Sequence, residues 1–265
     1  MSEKEVAIIT GASKGIGLST AVLFQKNGYK VYALSRSGCN LVGVNSVICD
    51  ICDEKQLKNA IDKIYAAEKR IDVLVNNAGM GISGSVEKTN PADARKLFEL
   101  NFFALFEAIK YTIPYMRERK YGKIINVGSV AGSLHVPFQA FYSASKAAVE
   151  ALSNCLRGEL EPFGIKVAAV LPGDTSTNFT SAREKDFEKN DPDYGERIYR
   201  SIKQMEEDEQ NGMPPEKVAR IIYKAVRCKS PKPVYIVGFQ YKFFIFLGRI
   251  FSKRFVQFVL NKMYA

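Results

Sequence analysis

Short apolar runs alternate with amphipathic segments along most of this chain. Each run is apolar at odd and even positions alike, which is typical of strands buried on both faces of a parallel sheet. The segments predicted to be strands are 6–10, 30–34, 46–49, 71–79 with its closing turn, 123–129, 165–173 and 233–238. The segments predicted to be helices are 15–28, 53–70, 91–120, 141–161 and 214–228. This alternation predicts an α/β fold, a doubly wound parallel sheet in a three-layer αβα arrangement.

Two segments depart from the alternation. Residues 174–212 are mostly polar and charged, and the apolar side chains among them are predicted to face inward. Those side chains are Phe179, Phe187, Tyr194, Ile198, Tyr199, Ile202 and Met205. Residues 239–265 are instead rich in aromatic side chains. We therefore expect one domain over residues 1–238, with a variable lid at 174–212, followed by an extension at 239–265.

The extension contains nine aromatic residues among 27, and five cations without any acid. Its cations are Lys242, Arg249, Lys253, Arg254 and Lys262. Spacings of three or four residues predict a helical stripe through Phe244, Leu247, Phe251, Phe255, Phe258 and Lys262. Three interpretations stay open. The extension packs on its own domain or on a dimer partner, borders a lipophilic substrate mouth, or makes peripheral contact with a membrane through its cations.

Composition and charge exclude several classes of protein. The chain has 265 residues, 46% hydrophobic and 25% charged, which suits one globular domain. It has no run of about 18 apolar residues, and its first residues lack a secretory apolar region, so a cytoplasmic protein is expected. The net charge is +10, but no nucleic-acid motif accompanies it, so no nucleic-acid partner is expected.

The five cysteines indicate a reducing compartment rather than a disulfide scaffold. Cys49 and Cys52 form a CxxC, yet no second pair and no neighbouring histidine completes a set of metal ligands. Because Cys49 also ends a predicted buried strand, a structural role is expected for the motif, and no metal site is predicted.

A glycine-rich stretch, "TGASKGIG" at residues 10–17, lies directly between the first predicted strand and the first predicted helix. Gly11 can form the tight turn, Gly15 allows a pyrophosphate to approach the backbone, and Gly17 allows close helix packing. The amides at the start of the helix would then face the phosphates. This context favours a dinucleotide-binding turn over a simple strand–helix connection.

A second motif, "FYSASKAAVEAL" at residues 141–152, lies in a predicted helix. Tyr142 and Lys146 are four residues apart, which places the phenol and the ammonium on one helical face. A neighbouring cation favours the phenolate and lowers the pKa of a tyrosine. The pair can therefore serve as a proton-transfer device rather than as surface decoration.

Together these motifs resemble the short-chain dehydrogenase/reductase superfamily in its single-domain branch. The resemblance rests on "TGASKGIG", "NNAG" (76–79), Asn101, Ser129, "YSASK" (142–146) and "PG" (172–173), in family order and spacing over residues 5–178. It implies a seven-stranded Rossmann sheet, a nicotinamide cofactor and hydride transfer. Residues 76–87 and 101–167 most resemble the hydroxysteroid and retinol dehydrogenase-like part of the superfamily.

The resemblance assigns catalytic roles to four residues. Tyr142 exchanges a proton with the substrate oxygen, and Ser129 hydrogen-bonds that oxygen. Lys146 holds the nicotinamide ribose and lowers the pKa of Tyr142. Asn101 binds a water that links Lys146 to solvent.

The resemblance also assigns residues to the cofactor. These are Gly11, Ser13, Lys14, Gly15, Ile16, Gly17, Ser35, Arg36, Asp50, Ile51, Asn77, Ala78, Gly79, Tyr142, Lys146, Pro172, Gly173, Thr175 and Thr177. The second strand ends in Ser35 where an NAD site usually has an acid, and Arg36 follows it. Arg36 and Lys14 can pair with a 2′-phosphate, so NADP(H) is the expected cofactor. The loop 36–45 is too short for the usual crossover helix, which predicts an open 2′-phosphate pocket.

The expected reaction interconverts a secondary alcohol and a ketone, on a lipophilic substrate such as a hydroxysteroid or a bile acid. One alternative is a general carbonyl or 3-oxoacyl reductase, and another is a non-enzymatic NADP(H)-sensing regulator. A sensor needs no proton donor, so Ser129, Tyr142 and Lys146 together argue against the regulator. The resemblance further implies a homodimer or a homotetramer.

Overall fold

The computed structural model describes residues 4–186 and 191–264. Within them the strands are β1 (Val6–Thr10), β2 (Lys30–Ser35), β3 (Asn45–Ile48), β4 (Val73–Asn76), β5 (Ile82–Gly84), β6 (Gly122–Val127), β7 (Ile165–Pro172), β8 (Glu184–Asp186) and β9 (Val234–Val237). Seven of them form one parallel sheet in the order β3-β2-β1-β4-β6-β7-β9. The predicted doubly wound sheet is confirmed.

Helices cover both faces of this sheet. They are α1 (Gly15–Lys26), α2 (Glu54–Glu68), α3 (Pro91–Phe98), α4 (Ala104–Glu118), α5 (Ala140–Leu160), α6 (Phe179–Ala182), α7 (Gly195–Gln210), α8 (Pro215–Arg227), α9 (Phe239–Ile250) and α10 (Lys253–Tyr264). Apolar side chains of α2, α4 and α5 form the core on one face, and those of α1 and α8 form it on the other. Strand order reverses between β1 and β4, and a crevice at their carboxyl ends is where ligands bind in such folds.

The helix predicted at 91–120 is confirmed, since the backbone is helical without a break from Pro91 to Glu118, but its winding changes midway. A π-helical turn, Glu99–Phe103, separates α3 from α4, and the Ala104 amide donates to the Glu99 carbonyl. One extra residue in this turn shifts the helical faces on either side of it, which a 3.6-residue pattern does not reveal. π turns of this kind often occur at functional sites.

The lid also has more structure than its polar sequence indicates. It contains α6, β8 and α7, and β8 pairs in parallel with β5 in a small second sheet. Residues 187–190, including Phe187, lie outside the described residues. Ile198, Ile202 and Met205 are buried as predicted, but Tyr199 is 39% exposed. Neighbouring residues on a helix point about 100° apart, so Ile198 and Tyr199 cannot both face inward.

The extension folds into two helices, not one continuous stripe. The backbone at Phe251 is extended and ends α9, and α10 begins two residues later. Tyr241 contacts Gly173 at the end of β7, and the Tyr264 hydroxyl donates to Asp208 on α7 at 2.9 Å. The extension is therefore attached to the domain near both of its ends. No described helix has the length and apolar character that crossing a membrane requires.

Candidate active site

The loop between β1 and α1 forms a tight backbone cradle at the carboxyl edge of the sheet. Gly11 and Gly15 have φ angles of +65° and +56°, which residues with a Cβ rarely adopt. A Cβ on Gly17 would lie 2.4 Å from the carbonyl oxygen of Gly11. The three glycines thus hold a turn that other residues could not form without strain.

Hydrogen bonds tie this turn to the neighbouring strand β4. The Thr10 hydroxyl accepts from the backbone amides of Asn77 at 3.0 Å and Ala78 at 3.1 Å. The Asn77 side-chain amide donates to the carbonyl oxygens of Thr10 at 2.9 Å and Gly11 at 3.2 Å. Asn77 and Ala78 therefore hold the glycine turn in place from the adjacent strand.

A cavity of about 1110 Å³ extends from this turn along the carboxyl edge of the sheet. Among the site residues predicted from the sequence, its wall contains Gly11, Ser13, Lys14, Gly15, Ile16, Ser35, Arg36, Asp50, Ile51, Asn77, Ala78, Gly79, Ser129, Tyr142, Lys146, Pro172, Gly173, Thr175 and Thr177. Gly17 lies behind the turn, against the Gly11 carbonyl. Asn101 is fully buried, with its side-chain oxygen 3.1 Å from where a Cβ of Gly79 would lie.

One end of the cavity is rich in cations. Lys14 and Arg36 are exposed there, and the Ser35 hydroxyl donates to the Gly38 carbonyl at 3.0 Å. Lys96 of α3 joins the same wall and pairs with Glu184 of β8 at 2.6 Å. Residues 36–44 form turns without a helix, as predicted, so this end is open. Lys96 was not predicted as a site residue, because α3 is distant from the glycine turn along the chain.

Three of the four predicted catalytic side chains, Ser129, Tyr142 and Lys146, meet in the cavity. Ser129 precedes a short 3₁₀ turn after β6, and its oxygen accepts from the Ala131 amide at 3.1 Å. Tyr142 and Lys146 are one turn apart on α5, and the Ser129 hydroxyl lies near enough to Tyr142 to act on the pKa of its phenol. The Lys146 ammonium lies 5.9 Å from the Tyr142 ring centre and donates to the Val127 carbonyl at 3.1 Å.

Burial sets the ionisation of these groups. It raises the pKa of Tyr142 to about 12, although the Ser129 hydroxyl acts in the opposite direction. Burial likewise lowers the pKa of Lys146 to about 8. The prediction that Lys146 lowers the pKa of Tyr142 is wrong for the protein alone, because the cost of burying a phenolate dominates. Tyr142 therefore carries its proton near neutral pH, which is the form that donates in a reduction.

Asn101 occupies the π-helical turn and faces the interior. Its side-chain oxygen accepts from the Met80 amide at 2.9 Å, and its side-chain nitrogen donates to the Met80 carbonyl at 3.0 Å and to the Ser145 hydroxyl at 3.1 Å. Both ends of this amide are thus engaged with protein atoms. The water that was expected to link Asn101 with Lys146 stays a prediction.

The opposite wall of the cavity follows β7. Gly173 lies under the Tyr241 ring, because a Cβ there would come within 2.0 Å of that ring. The Tyr241 hydroxyl accepts from the Asp174 amide at 3.0 Å and donates to the Asp174 carboxylate. Thr177 returns to the glycine turn, with its Cβ 3.3 Å from where a Cβ of Gly15 would lie.

Two carboxylates on this side were not predicted as site residues. Asp174 and Glu209 both line the cavity, and burial raises the pKa of each. Glu209 accepts from the Thr180 hydroxyl at 2.6 Å and pairs with the buried Arg183. Their positions in a variable lid gave no sequence signal, since only tertiary contacts bring α7 over the catalytic groups.

The extension supplies much of the remaining wall. Its contribution consists of Tyr241, Phe244, Leu247, Gly248, Phe251, Phe255, Val256, Val259, Leu260, Met263 and Tyr264. This finding agrees with the interpretation that the extension borders a substrate mouth. The predicted stripe is correct for Phe244, Leu247, Phe251 and Phe255, which line the cavity. Phe258 is not part of this wall and is 56% exposed, because the break after Phe251 turns α10.

The residues of the cavity fit a nicotinamide dinucleotide. The glycine cradle presents backbone at the start of α1, where the helix amides attract phosphate groups. Cations lie at one end, and the tyrosine–lysine–serine group lies further along the same wall. Among the described residues, no cluster of histidine, cysteine or acidic side chains is arranged to hold a metal ion.

Comparison with known proteins agrees with this geometry. The family model described as "short chain dehydrogenase" matches residues 5–188. A 3-ketodihydrosphingosine reductase from Bacteroides thetaiotaomicron is 39% identical over 231 residues, which cover 86% of each chain. An NADPH-dependent 3-dehydrocapnine reductase from Ornithobacterium rhinotracheale is 31% identical over 247 residues, covering 88% of this chain and 87% of the relative.

A solved structure extends the similarity to the whole fold. The crystal structure of a short-chain dehydrogenase from Streptomyces avermitilis superposes with a TM-score of 0.85 at 29% sequence identity. The match covers 99% of this chain and 96% of the other. It therefore includes the extension as well as the sheet.

Proposed function

The chain belongs to the short-chain dehydrogenase family, and from that premise we propose that it reduces a long-chain aliphatic ketone to a secondary alcohol with NADPH. One observation carries the proposal. A single cavity joins Ser129, Tyr142 and Lys146 to the apolar wall formed by α9 and α10. The catalytic groups suit a carbonyl, and the apolar wall suits a hydrocarbon chain attached to it.

The relatives support a ketone substrate. The names of the two reductases described above refer to 3-ketodihydrosphingosine and 3-dehydrocapnine. The first of these is a long aliphatic chain with its ketone near one end. A site with polar catalytic groups beside an extended apolar wall would match that chemistry.

NADPH is favoured over NADH by the charged end of the cavity. Arg36 and Lys14 lie beside Ser35, where an acid would otherwise repel a 2′-phosphate. Lys96 adds a third cation to this wall. The name of the 3-dehydrocapnine reductase specifies NADPH, which agrees with this proposal.

The protein groups have distinct tasks in the reduction. Gly11, Gly15 and Lys146 would hold NADPH, which would supply the hydride to the carbonyl carbon. Tyr142 donates its phenolic proton to the carbonyl oxygen, and Ser129 donates a hydrogen bond to the same oxygen as negative charge develops there. Lys146 binds the nicotinamide ribose and places a positive charge near the phenolate that Tyr142 becomes. The phenolate regains a proton from solvent before the next turnover.

Two other classes of substrate would undergo the same reaction. A hydroxysteroid or bile acid, expected from the resemblance, would also need an apolar wall, and a 3-oxoacyl compound would need a ketone. The non-enzymatic regulator is the least consistent with the site, because Ser129, Tyr142 and Lys146 are assembled together. The homodimer or homotetramer stays a prediction.

The test is NADPH oxidation with a panel of ketones. The panel contains straight-chain 3-ketones of short, medium and long chain, 3-ketodihydrosphingosine, a 3-ketosteroid and a 3-oxoacyl thioester. kcat/KM should rise with chain length, by about fourfold for each added methylene that the wall buries, since burial is worth about 0.8 kcal/mol per methylene. A steroid or thioester preferred over every long-chain ketone would contradict the substrate class. NADPH binding without turnover of any ketone would instead favour the regulator.

A further inference from the structure

Large apolar side chains lie on both sides of α9, and one more, Phe258, lies on the side of α10 away from the cavity, between the cations Arg254 and Lys262. One side lines the cavity. The other side, here called the outer face, consists of Phe243, Phe246, Ile250 and Phe258, which are 51%, 58%, 62% and 56% exposed and are not part of the cavity wall. Phe239 at the start of α9 is 85% exposed. The outer face is thus a separate feature from the proposed substrate site.

Such a surface needs an explanation, because folded domains rarely expose several large apolar side chains side by side. Phe243, Phe246 and Ile250 recur at intervals of three and four residues, which places them on one face of α9. A helix that is hydrophobic all round is normally covered on every side. Tyr241 and Ile245 of α9 are buried against the domain, whereas Phe243, Phe246 and Ile250 stay exposed.

The charges around the outer face indicate what covers it. Residues 239–265 contain five cations and no acid. Lys242, Lys253, Arg254 and Lys262 are all exposed, at positions between the aromatic residues. Aromatic side chains interleaved with lysine and arginine are typical of helices that lie in the headgroup region of an anionic membrane.

A second copy of the chain fits this surface less well. A two-fold symmetric contact would bring the same patch together from both copies. The exposed cations Lys242, Lys253, Arg254 and Lys262 of one extension would then come close to those of the other, and neither extension contains an acid to offset them. Like charges brought together in this way oppose association, whereas anionic lipid headgroups would neutralise them.

The dimensions suit binding on the surface of a bilayer. α9 and α10 have 12 residues each and are therefore roughly 18 Å long, against a hydrocarbon core of about 30 Å. A bend separates the two helices at Phe251 and Ser252. Both helices can then lie flat, with the outer face in the lipid and the lysine side chains extended toward the headgroups.

We propose that the outer face of α9 and α10 docks the protein on an anionic lipid bilayer surface. The opposite side of the same helices lines the cavity, so docking brings the cavity wall next to the lipid. A long-chain ketone dissolved in the bilayer would then reach Tyr142 along an apolar path. Docking itself does not depend on the reaction, whereas this delivery of substrate rests on the proposed function.

The experiment is co-sedimentation of the full chain with vesicles, without NADPH or substrate. Vesicles of phosphatidylcholine alone are compared with vesicles containing phosphatidylglycerol. The parent protein should sediment with the anionic vesicles and be released by high salt. The pair Lys253→Gln and Arg254→Gln should lower partitioning by about tenfold or more, because each cation near an anionic surface contributes about 1 kcal/mol.

The apolar contribution is tested with Phe246→Gln and Ile250→Gln, which keep good helix formers in α9. This pair should also lose vesicle binding while reducing a short-chain ketone at the parent rate. Val42 and Phe163 are exposed apolar residues elsewhere, so Val42→Gln with Phe163→Gln is the matched control and should bind like the parent.

Two outcomes would overturn the docking proposal. The first is a parent protein that stays in the supernatant with every vesicle. The second is a dimer by sedimentation velocity that the Phe246→Gln, Ile250→Gln pair converts to a monomer, without vesicle binding by either form. The proposed function fails separately: a protein that binds vesicles but oxidises NADPH with no ketone retains the docking surface and loses the assigned reaction.

Discussion

Tyr142 is placed so that burial, not the neighbouring lysine, decides its protonation in the protein alone. Its pKa of about 12 keeps the phenol protonated at neutral pH, and the Lys146 ammonium is close enough to stabilise the phenolate left after proton transfer. In this environment Tyr142 keeps the proton that it would donate to the carbonyl oxygen of the substrate. Its removal should therefore affect chemistry more than binding.

Tyr142→Phe tests this role directly. The variant keeps the ring that packs against Phe179 at 5.6 Å but removes the proton, so kcat should fall by at least about a hundredfold. The dissociation constant for NADPH, measured by fluorescence titration, should barely change. A variant that retains most of the parent kcat would show that another group donates the proton.

The ionisation of Lys146 should make kcat/KM for NADPH depend on pH. Its pKa is lowered to about 8, so the ammonium is present below that pH and is lost as the pH rises through it. Because kcat/KM for NADPH reports the free enzyme, it should be level at neutral pH and fall above about pH 8, by about tenfold per unit. Lys146→Met should show a lower value without this limb. The same alkaline limb in Lys146→Met would assign it to a different group.

Arg36 tests the choice of cofactor. Arg36→Asp replaces a cation at the proposed 2′-phosphate site with an acid that can accept from a ribose hydroxyl. Since a hydrogen bond to a charged group is worth about 1.5–3 kcal/mol, the NADPH/NADH ratio of kcat/KM should drop by at least about tenfold. Lys26→Asp, on the far end of α1, is the control and should leave the ratio unchanged. If the parent protein had the same kcat/KM with NADPH as with NADH, a 2′-phosphate site at Arg36 would be excluded.

At the scale of elements, the cavity depends on α9 as much as on the sheet. Gly248 lies in that helix and faces the cavity, and a Cβ built there would meet no heavy atom within 4 Å. The glycine therefore leaves open space in the proposed chain-binding wall. A larger side chain at this position would occupy the room that a long ketone needs.

Gly248→Phe should raise KM for the longest 3-ketone by at least about tenfold, the loss of about two buried methylenes, and leave a short 3-ketone unaffected. Gly158→Phe is the matched control, because Gly158 is an exposed glycine of α5 with equally open surroundings. Its kinetics should equal those of the parent with both ketones. If KM of Gly248→Phe for both the long and the short 3-ketone equalled that of the parent, α9 would not be part of the substrate site.

At the scale of the whole molecule, one buried acid, Asp72, links several elements at the amino ends of the strands, the end of the sheet opposite the cavity. Asp72, fully buried, accepts from the Val6 amide at 2.8 Å and from Arg70 at 2.7 Å and 2.9 Å. Arg119, which follows α4, donates to the same carboxylate at 2.9 Å. The carboxylate thus connects β1, β4 and α4 at the amino end of the strands, far along the sheet from Tyr142.

Asp72→Asn should lower the free energy of unfolding by about 1.5–3 kcal/mol, because the partly exposed Arg70 and Arg119 lose the charged acceptor of their hydrogen bonds. Urea denaturation measures the change, and kcat of the folded protein should stay at the parent value. Asp62→Asn, which removes a more exposed pair with Lys58 at 2.5 Å, should cost less than about 1 kcal/mol. Equal costs for the two variants would show that the Asp72 cluster contributes no more than a surface pair.

The sequence by itself determined the architecture and the centre of the site. Strands buried on both faces and amphipathic helices have distinct local periodicities, so the order of elements follows from the pattern. Gly11, Gly15 and Gly17 lie within one turn, and Tyr142 and Lys146 lie within one helical turn. Their mutual geometry is therefore local and can be read from spacing.

Only the tertiary structure decided the remaining features. Contacts between distant segments direct the Asn101 amide to Met80, pair β5 with β8, and place α9 over β7. Burial, which depends on all surrounding elements, reverses the expected pKa shift of Tyr142. Neither long-range packing nor desolvation leaves a periodic trace in the chain, which is why the wall of the cavity and the ionisation of its catalytic groups emerged only with the fold.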